Sequence, residues 1–223
     1  MKKLAMLALL APTLAFAEPT LNLSAEASSK VTNDEMVVML SIERSGVDSA
    51  QITDAVIGAL DEALKDAKAV PTVKARLSNV STHPNWDQNR KNGWVTQGGL
   101  SITSQDMKAL SLLTEKLSRK LQLAGVQFRL SDEKRASEER RLLQEAANNF
   151  NAKAADAAKA FGYKTYALGE LNIGQSGYSG GGPRPMMMEM ASAKAARFAA
   201  LPTEGGDSEV SVNVSGKITL LKN

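Results

Sequence analysis

The sequence predicts an α+β fold in which helices pack on one face of a largely antiparallel sheet. Several segments alternate apolar and polar residues, which is typical of half-buried strands. Other segments have apolar residues at steps of three and four, which is typical of amphipathic helices. The elements follow the order β-β-α-β-β-α-β-α-β-β, in which a hairpin–helix unit appears twice. This order favours antiparallel pairing with helices on one side.

Residues 1–17 have the pattern of a secretory signal peptide. Two lysines precede an apolar run over residues 4–16, and Ala15-Phe16-Ala17 matches a cleavage site. An uncleaved anchor helix is the alternative, but about thirteen residues are short of the roughly 20 that span a bilayer, and Pro12 interrupts them. We expect cleavage near Ala17-Glu18, a periplasmic or secreted protein, and no transmembrane segment after cleavage.

The mature chain, residues 18–223, is expected to form one domain that begins with a β-hairpin. Residues 20–27 alternate apolar and polar side chains, and residues 36–44 place Val38, Leu40 and Ile42 on one face. A polar turn at residues 28–35 separates the two strands. Their proximity in the sequence predicts that they pair with each other.

The first helix is predicted to begin after Asp48 or Ser49, either of which can cap the free N–H groups of a first turn. Its apolar period continues to about Lys68, before Pro71 prevents continuation. Strands are then predicted over residues 72–79 and 94–104. They form a second hairpin with a long, polar and partly aromatic tip.

The second helix is predicted to open at Asp106 and end at Gly125, before a short strand over residues 126–130. The longest helical pattern runs from about Lys134 to Gly162, and we interpret it as the central bar across one face of the sheet. Gly162 can end it because a residue without Cβ adopts the left-handed conformation at little cost. The predicted apolar stripe of this helix comprises Leu143, Ala147, Phe150, Ala154, Ala158 and Phe161.

The last third of the chain combines two predicted strands with a flexible loop. A strand is predicted over residues 163–173, and the cleanest alternation in the chain predicts another over residues 209–220. Between them, glycines and prolines concentrate in residues 174–185, which forbids regular structure. We expect a flexible Gly/Pro/Met-rich loop at about residues 174–206.

Charge and composition exclude several kinds of site. Without residues 1–17, Lys+Arg falls from 27 to 25 against 24 Asp+Glu, so the mature chain is close to neutral and no nucleic-acid partner is expected. The chain contains no cysteine, which excludes disulfides, a thiol nucleophile and a thiolate metal site. An exported chain of this kind depends on its core for stability.

Several motifs, in their order along the chain, point to one protein family. Two strands over residues 20–44 follow the signal segment, and His83-Pro84-Asn85-Trp86 precedes Gly93-Trp94. The Ala-rich helix end at residues 154–162 is the strongest motif. A Pro/Met-rich segment at residues 183–190 and the strand at residues 210–214 complete the set.

In this order the motifs resemble the SIMPL-domain family of bacterial envelope proteins, which includes YggE-like proteins and the periplasmic immunogenic protein of Brucella. The chain departs from the pattern before its last strand, where Pro202-Thr203-Glu204-Gly205-Gly206 replaces the usual Pro-Gly. The resemblance implies an envelope protein; some members are linked to oxidative or other stress, and some assemble into large rings. It implies no catalytic residues.

His83 is the only histidine. A histidine side chain is suited to general-base or metal-ligand chemistry. However, a catalytic triad needs an orienting acid and a nucleophile brought to the histidine, and no nucleophile-elbow pattern is present. We therefore predict no catalytic residues, no cofactor and no enzymatic activity.

The methionine cluster offers the alternative function of periplasmic copper handling. Its members are Met186, Met187, Met188 and Met190. Thioethers are soft ligands that suit Cu(I), but methionine also fills apolar gaps and forms adaptable contact surfaces. Because adjacent side chains of a regular strand or helix cannot all point at one ion, we favour packing or subunit contact.

The interaction candidates are Trp86, Trp94 and His83 around the long hairpin tip. An exposed tryptophan can anchor a partner. Alternation favours packing of Trp94 into the sheet, whereas it does not decide whether Trp86 is buried or exposed. The edges of the two predicted hairpins can also pair with another subunit. We therefore expect a non-enzymatic protein that forms a homo-oligomer or binds an envelope protein partner.

Overall fold

The computed structural model describes residues 18–88, 90–174 and 205–222. The α+β class predicted from the sequence is confirmed there, since three helices accompany antiparallel strands. The elements are, in order, β1 (Thr20–Thr32), β2 (Glu35–Gly46), α1 (Ser49–Lys68), β3 (Lys74–Leu77), β4 (Ser81–Asp87), β5 (Arg90–Ser104), α2 (Met107–Leu117), β6 (Gln122–Arg129), α3 (Asp132–Ala160), β7 (Thr165–Gly174) and β8 (Asp207–Leu221).

The strands form two sheets. One has the order β1-β8-β7, and the other has the order β3-β5-β2-β6, with β4 paired to β5. The predicted hairpin between residues 20–27 and 36–44 is wrong, because β1 lies beside β8 while β2 pairs with β5 and β6. Alternation in a sequence specifies which residues share a face, but it does not specify which strand lies alongside.

Asn33 shows why the chain between β1 and β2 does not close a hairpin. Its backbone N–H donates to the Gly206 carbonyl at 3.0 Å, and its side-chain amide donates to the Gly205 carbonyl at 2.9 Å. The Ser208 hydroxyl donates to the Asn33 side-chain oxygen at 2.7 Å. Asn33 is buried, so these bonds satisfy an amide that would otherwise be costly to desolvate. The predicted polar turn therefore binds the start of β8.

The chain divides into two compact units, whose boundaries fall inside β1, α3 and β8. The described part of unit 1 comprises residues 18–27, 143–174 and 212–222. The described part of unit 2 comprises residues 28–88, 90–142 and 205–211. The single domain predicted for residues 18–223 stays a prediction.

Unit 2 is built around β2. Alternate residues of β2 lie in a core with apolar side chains of α1, α2 and β5, as the period of a half-buried strand dictates. This core includes Met36, Val38, Leu40, Ile42, Val56, Leu60, Ala63, Leu100, Ile102, Leu110 and Leu117. The alternate side chains of β2, which include Val37, Met39 and Ser41, face away from this core.

Of the two predicted capping residues, Asp48 caps α1, and Ser49 is the first residue of the helix. The Asp48 carboxylate accepts hydrogen bonds from the backbone N–H groups of Ala50 at 2.9 Å and Gln51 at 3.2 Å. Such bonds satisfy donors that have no partner within a first helical turn. Asp106 does the same for α2 by accepting from the Ala109 N–H at 2.9 Å.

Two exposed ion pairs join α1 to the end of α2. Lys116 Nζ lies 2.8 Å from Asp66 Oδ1, and Lys120 Nζ lies 2.6 Å from Glu62 Oε2. The hydrogen bond from Lys116 lowers the pKa of Asp66, and that from Lys120 lowers the pKa of Glu62. The same contact with Glu62 raises the pKa of Lys120. Because these groups are largely solvated, each pair adds little to the free energy of unfolding.

Several predicted boundaries move where tertiary pairing overrides local signals. The strand β4 occupies the start of the predicted polar tip, because it pairs with β5 from Ser81 opposite Gln97 to Asp87 opposite Arg90. The helix α2 ends at Leu117, well before the predicted end at Gly125. Residues 122–125 instead join β6, which pairs with β2 across a bulge.

The helix α3 follows the predicted course, and Phe150, Ala154 and Ala158 are buried as predicted, whereas the predicted Leu143 and Ala147 are only half-buried. In unit 1 the buried residues are Ala146, Phe150, Ala154 and Ala158, which repeat every four positions. The predicted burial of Phe161 is wrong: its side chain is 62% exposed, because α3 ends at Ala160 and Phe161 follows it. Gly162 has φ +77°, in agreement with the predicted left-handed helix end.

Candidate functional site

The hairpin formed by β4 and β5 reaches beyond the five-stranded sheet. The strand β2 pairs with β5 only as far as Gly46 opposite Trp94. From Trp94 towards the turn, β5 pairs with β4 alone, and the last pair is Asp87 opposite Arg90. This two-stranded segment is the predicted long tip, and it presents both of its faces to solvent or to a partner.

Three threonine hydroxyls fix the base of this hairpin to α1. Thr82 of β4 and Thr96 of β5 have their hydroxyl oxygens 2.8 Å apart. The Thr53 hydroxyl of α1 lies 2.9 Å from that of Thr82 and 3.2 Å from that of Thr96. Thr96 is fully buried, and its hydroxyl is satisfied by those of Thr53 and Thr82. These contacts join the base of the hairpin to α1.

The two tryptophans of the hairpin have different environments. Trp94 is half-buried, and the Lys91 ammonium lies 3.7 Å from the centroid of its ring, within cation–π distance. Trp86 is 62% exposed near the tip. A large exposed aromatic side chain on a projecting hairpin is a candidate anchor for a partner.

Gly93 permits the close approach of β2 to this hairpin. Its φ of +81° is unfavourable for residues with a Cβ. A Cβ at this position would also lie 2.5 Å from the Gly46 carbonyl oxygen. The Gly-aromatic motif noted in the sequence therefore has a structural role, because only glycine lets Trp94 take its place opposite Gly46.

His83 lies on β4 opposite Val95 and is exposed to solvent. Within residues 18–88, 90–174 and 205–222, no acid or nucleophile is hydrogen-bonded to its ring. In that part of the chain, no group of three or more His, Cys, Asp or Glu side chains could hold a metal ion. The methionine cluster, Met186, Met187, Met188 and Met190, lies outside the described residues.

The strand β7 of unit 1 presents an apolar face that sequence reasoning missed. Leu168 pairs with Ile218, Leu171 with Gly216, and Ile173 with Val214. Directly opposed residues of an antiparallel pair share a face, so the buried face of β8 continues onto β7. On β7, however, Leu168, Leu171 and Ile173 are 49%, 46% and 62% exposed. We call these three side chains the β7 patch.

A bulge divides β7 into two short ladders. The register shifts between Leu168 and Leu171, so Gly169 and Glu170 both lie opposite Lys217. A Cβ at Gly169 would lie 2.9 Å from the Lys217 carbonyl oxygen, and one at Gly216 would lie 2.7 Å from the Glu170 carbonyl oxygen. Sequence alternation is lost at such a bulge, which explains why the patch could not be read from the pattern.

The outer edge of β7 has no neighbouring strand within the described residues, since β8 is the partner that the sheet order gives it. An edge strand of this kind presents free N–H and C=O groups that can pair with another chain. The free edge and the β7 patch together make β7 a candidate interaction surface on unit 1. The hairpin tip with Trp86 is a second candidate.

The family model described as SIMPL, protein of unknown function (DUF541), matches residues 21–218. This confirms the resemblance noted from the order of the motifs. No curated protein matches the chain. Among the described residues, no helix combines the length and apolar character needed to cross a membrane.

Proposed function

The chain belongs to the SIMPL family, and we propose that it is an exported, non-enzymatic protein of the bacterial periplasm that assembles with further copies through β7. In this proposal the surfaces of the protein carry its function, and stress tolerance of the cell envelope is the process it serves. The observation that carries the proposal is the β7 patch beside a strand edge that no other described strand occupies.

Support for self-assembly comes from the geometry of a free edge. Two antiparallel β7 strands related by a twofold axis normal to the sheet would continue the three-stranded sheet into a six-stranded one, counting both copies. With a twofold axis in this direction, equivalent faces of the two three-stranded sheets lie on the same side of the combined sheet. The two β7 patches would therefore join into one apolar surface, which further packing can cover.

The scarcity of charged residues on β7 also favours its pairing with a strand of another copy. Natural sheet edges are often blunted by lysine, proline or inward-pointing charges. Across Thr165–Gly174 the chain has one charged residue, Glu170, and it lies at the bulge. The ladders on either side of the bulge, residues 165–168 and 171–174, contain no charged residue and no proline. They thus lack the usual protection.

The test compares the mature protein, residues 18–223, with a Leu171→Lys/Ile173→Lys variant. Two cations at a paired edge must lose water or separate the strands, so the variant is expected to be monomeric under conditions where the parent protein assembles. Light scattering and analytical ultracentrifugation over a concentration series measure the difference. Circular dichroism checks that the variant keeps its fold.

Leu112→Lys is the matched control. Leu112 of α2 is 63% exposed, as much as Ile173 at 62%, but it is not on a sheet edge. Its replacement should leave assembly unchanged. A parent protein that stays monomeric at high concentration, or a β7 variant that assembles as well as the parent, would contradict the proposal.

Export is tested separately. If residues 1–17 direct secretion, the protein recovered from the periplasmic fraction should begin near Glu18. Mass spectrometry of the intact protein measures its N-terminus. Recovery of the uncleaved chain from the membrane fraction would support the anchor-helix alternative instead.

A further inference from the structure

A polar cleft of about 890 Å³ lies in unit 2, on the face of the five-stranded sheet that is turned away from its core. Met36 and Val38 of β2 point into the core, so Glu35 and Val37, which alternate with them, lie on the cleft side. The volume is within the range of about 300–1,000 Å³ that is typical of small-molecule sites. The proposed assembly through β7 does not involve this cleft.

Two cations on β3 form one side of the cleft. Lys74 and Arg76 are two positions apart on an extended strand, so their side chains leave the same face about 7 Å apart. Within the described residues, neither side chain has an ion-pair or hydrogen-bond partner. Their charges are therefore available to a ligand.

Hydroxyl groups lie beside these cations on β5. Lys74 pairs with Thr103 and Arg76 pairs with Ser101, and directly opposed side chains of an antiparallel pair share a face. Both hydroxyls line the cleft, and neither is hydrogen-bonded to another described side chain. Two cations and two hydroxyl donors thus converge on one region of the sheet.

The base of the cleft is fixed by bonds within the protein. Glu35, which is 5% exposed, accepts from Arg129 Nε at 2.7 Å. The buried Ser104 hydroxyl donates to the Thr72 carbonyl at 2.7 Å. Among the described residues, every buried side-chain nitrogen and oxygen has a hydrogen-bond partner. The buried polar groups at the base of the cleft are therefore engaged within the protein, whereas Lys74 and Arg76 at its border are not.

The other side of the cleft is acidic. Asp106 is engaged in capping α2, and Asp132 accepts from Arg135 at 3.1 Å. Glu133 also borders the cleft and has no partner within the described residues. Carboxylates on this side repel a polyanion. The distribution of charge suits a molecule with its negative charge at one end and hydroxyl or amine groups at the other.

We propose that this cleft binds a small polar anion whose phosphate or carboxylate group is held by Lys74, Arg76 and the hydroxyls of Ser101 and Thr103. Arginine binds both kinds of group through two parallel hydrogen bonds, and lysine adds a flexible point charge. Hydroxyl or amine groups of the same molecule face Glu133. The structure defines this chemistry of recognition, and phosphate and carboxylate ligands are distinguished by experiment.

The experiment measures binding of inorganic phosphate, succinate and phosphoethanolamine to the mature protein by calorimetry and NMR titration at low ionic strength. Lys74→Gln/Arg76→Gln should weaken binding about tenfold or more, because it removes charged hydrogen bonds. Lys108→Gln/Arg140→Gln is the matched control, since it removes one lysine and one arginine that are exposed outside the cleft. The tighter of the phosphate and succinate arms identifies the preferred group.

A second variant tests the acidic side. Phosphoethanolamine carries an ammonium group, so it should bind more tightly than inorganic phosphate, and Glu133→Gln should reduce this advantage. Chemical-shift changes should centre on residues 74–76 and 101–103. Absence of binding for all three probes, or an equal loss in the Lys108→Gln/Arg140→Gln control, would overturn the proposal.

Discussion

The two edge strands of the three-stranded sheet differ in how their outer sides are occupied. On β1, the carbonyl oxygens of Ser24, Glu26 and Thr32 accept hydrogen bonds from Lys153 at 2.8 Å, Asn149 at 3.3 Å and Lys134 at 2.8 Å. All three donors belong to α3. On β7, no side chain of the described residues bonds to the outer backbone, and the β7 patch is exposed.

The difference shows that an edge is protected by what packs beside it. The β1 residues whose carbonyls accept these bonds are all even-numbered. The odd-numbered residues that flank β1, Pro19 and Asn33, instead bond to Leu220 and Gly206 on the side of β8. Since N–H and C=O groups of a strand alternate in direction, the α3 donors satisfy the outer edge. They occupy acceptors that another strand would need. Within the described residues, strand β7 has no such donors, so it is the edge through which we propose assembly.

The largest effect is expected from a substitution that loosens α3, the helix that protects the outer edge of β1. Phe150 is 2% exposed in the buried row of α3 in unit 1. Phe150→Ala should lower the free energy of unfolding by about 3–5 kcal/mol, because it removes a large buried side chain and leaves a cavity. Loosening α3 should also free the carbonyls of β1, so hydrogen exchange should rise across residues 20–27.

Phe161→Ala is the matched control for that change. Phe161 follows the same helix but is 62% exposed, and its replacement should alter stability by about 0.5 kcal/mol or less. Urea denaturation of both variants measures the difference. Equal losses of stability would contradict the burial of Phe150 and the exposure of Phe161.

A smaller effect is expected at the bulge that shapes β7. A Cβ at Gly216 would lie 2.6 Å from Leu171 Cδ2 and 2.7 Å from the Glu170 carbonyl oxygen. Gly216→Ala should therefore cost about 1–3 kcal/mol, as overpacking usually does, and should displace the β7 patch. Assembly should weaken with it, which light scattering measures.

Gly174→Ala provides the comparison within the same strand pair. The nearest atoms to a Cβ there lie at 3.6 Å, an ordinary contact distance. This variant should keep both stability and assembly. If Gly216→Ala were as well tolerated as Gly174→Ala, the bulge would not control the position of the patch.

The smallest expected effect comes from removing the protection of β1. Asn149→Ala/Lys153→Ala deletes two of the three donors, at about 1 kcal/mol or less each because the groups are exposed. Alanine is a strong helix former, so α3 itself should stay intact. The freed edge should create a second mode of association that persists when β7 carries Leu171→Lys/Ile173→Lys. Analytical ultracentrifugation detects this mode.

The corresponding control is Asn148→Ala/Lys159→Ala on the same helix. These two exposed residues make no bond to β1, so the β7-blocked protein should stay monomeric when they are replaced. Association in the control and the test variant alike would show that the loss of charge, not the opened edge, was responsible.

The local chemistry of the chain was readable where one residue and its neighbours decide the outcome. The Asp48 cap, the left-handed Gly162 and the strand over residues 209–220 are examples, and the order of motifs was sufficient to predict the family. The candidate site was only partly readable. Alternation did not decide whether Trp86 is buried or exposed. The β7 patch could not be predicted because a bulge in β7 breaks the alternation on which such a prediction depends.

Contacts between distant segments could not be read in this way. The predicted hairpin of β1 and β2 is wrong because Asn33 bonds to Gly205 and Gly206, more than 170 positions away. The cleft likewise requires β3, β5 and the start of α3 to lie side by side. No segment that lines the cleft contains a recognisable binding motif, because the site forms only when β3 pairs with β5.

The sequence by itself determined the family, the α+β class, the absence of cysteine chemistry and most helix and strand positions, since these depend on residue type and short-range period. The tertiary structure alone decided which strands pair, which edge α3 covers and where unpaired charges converge. The physical reason is that hydrogen bonding between strands is made by backbone groups common to all residues. Pairing is therefore selected by packing over the whole fold.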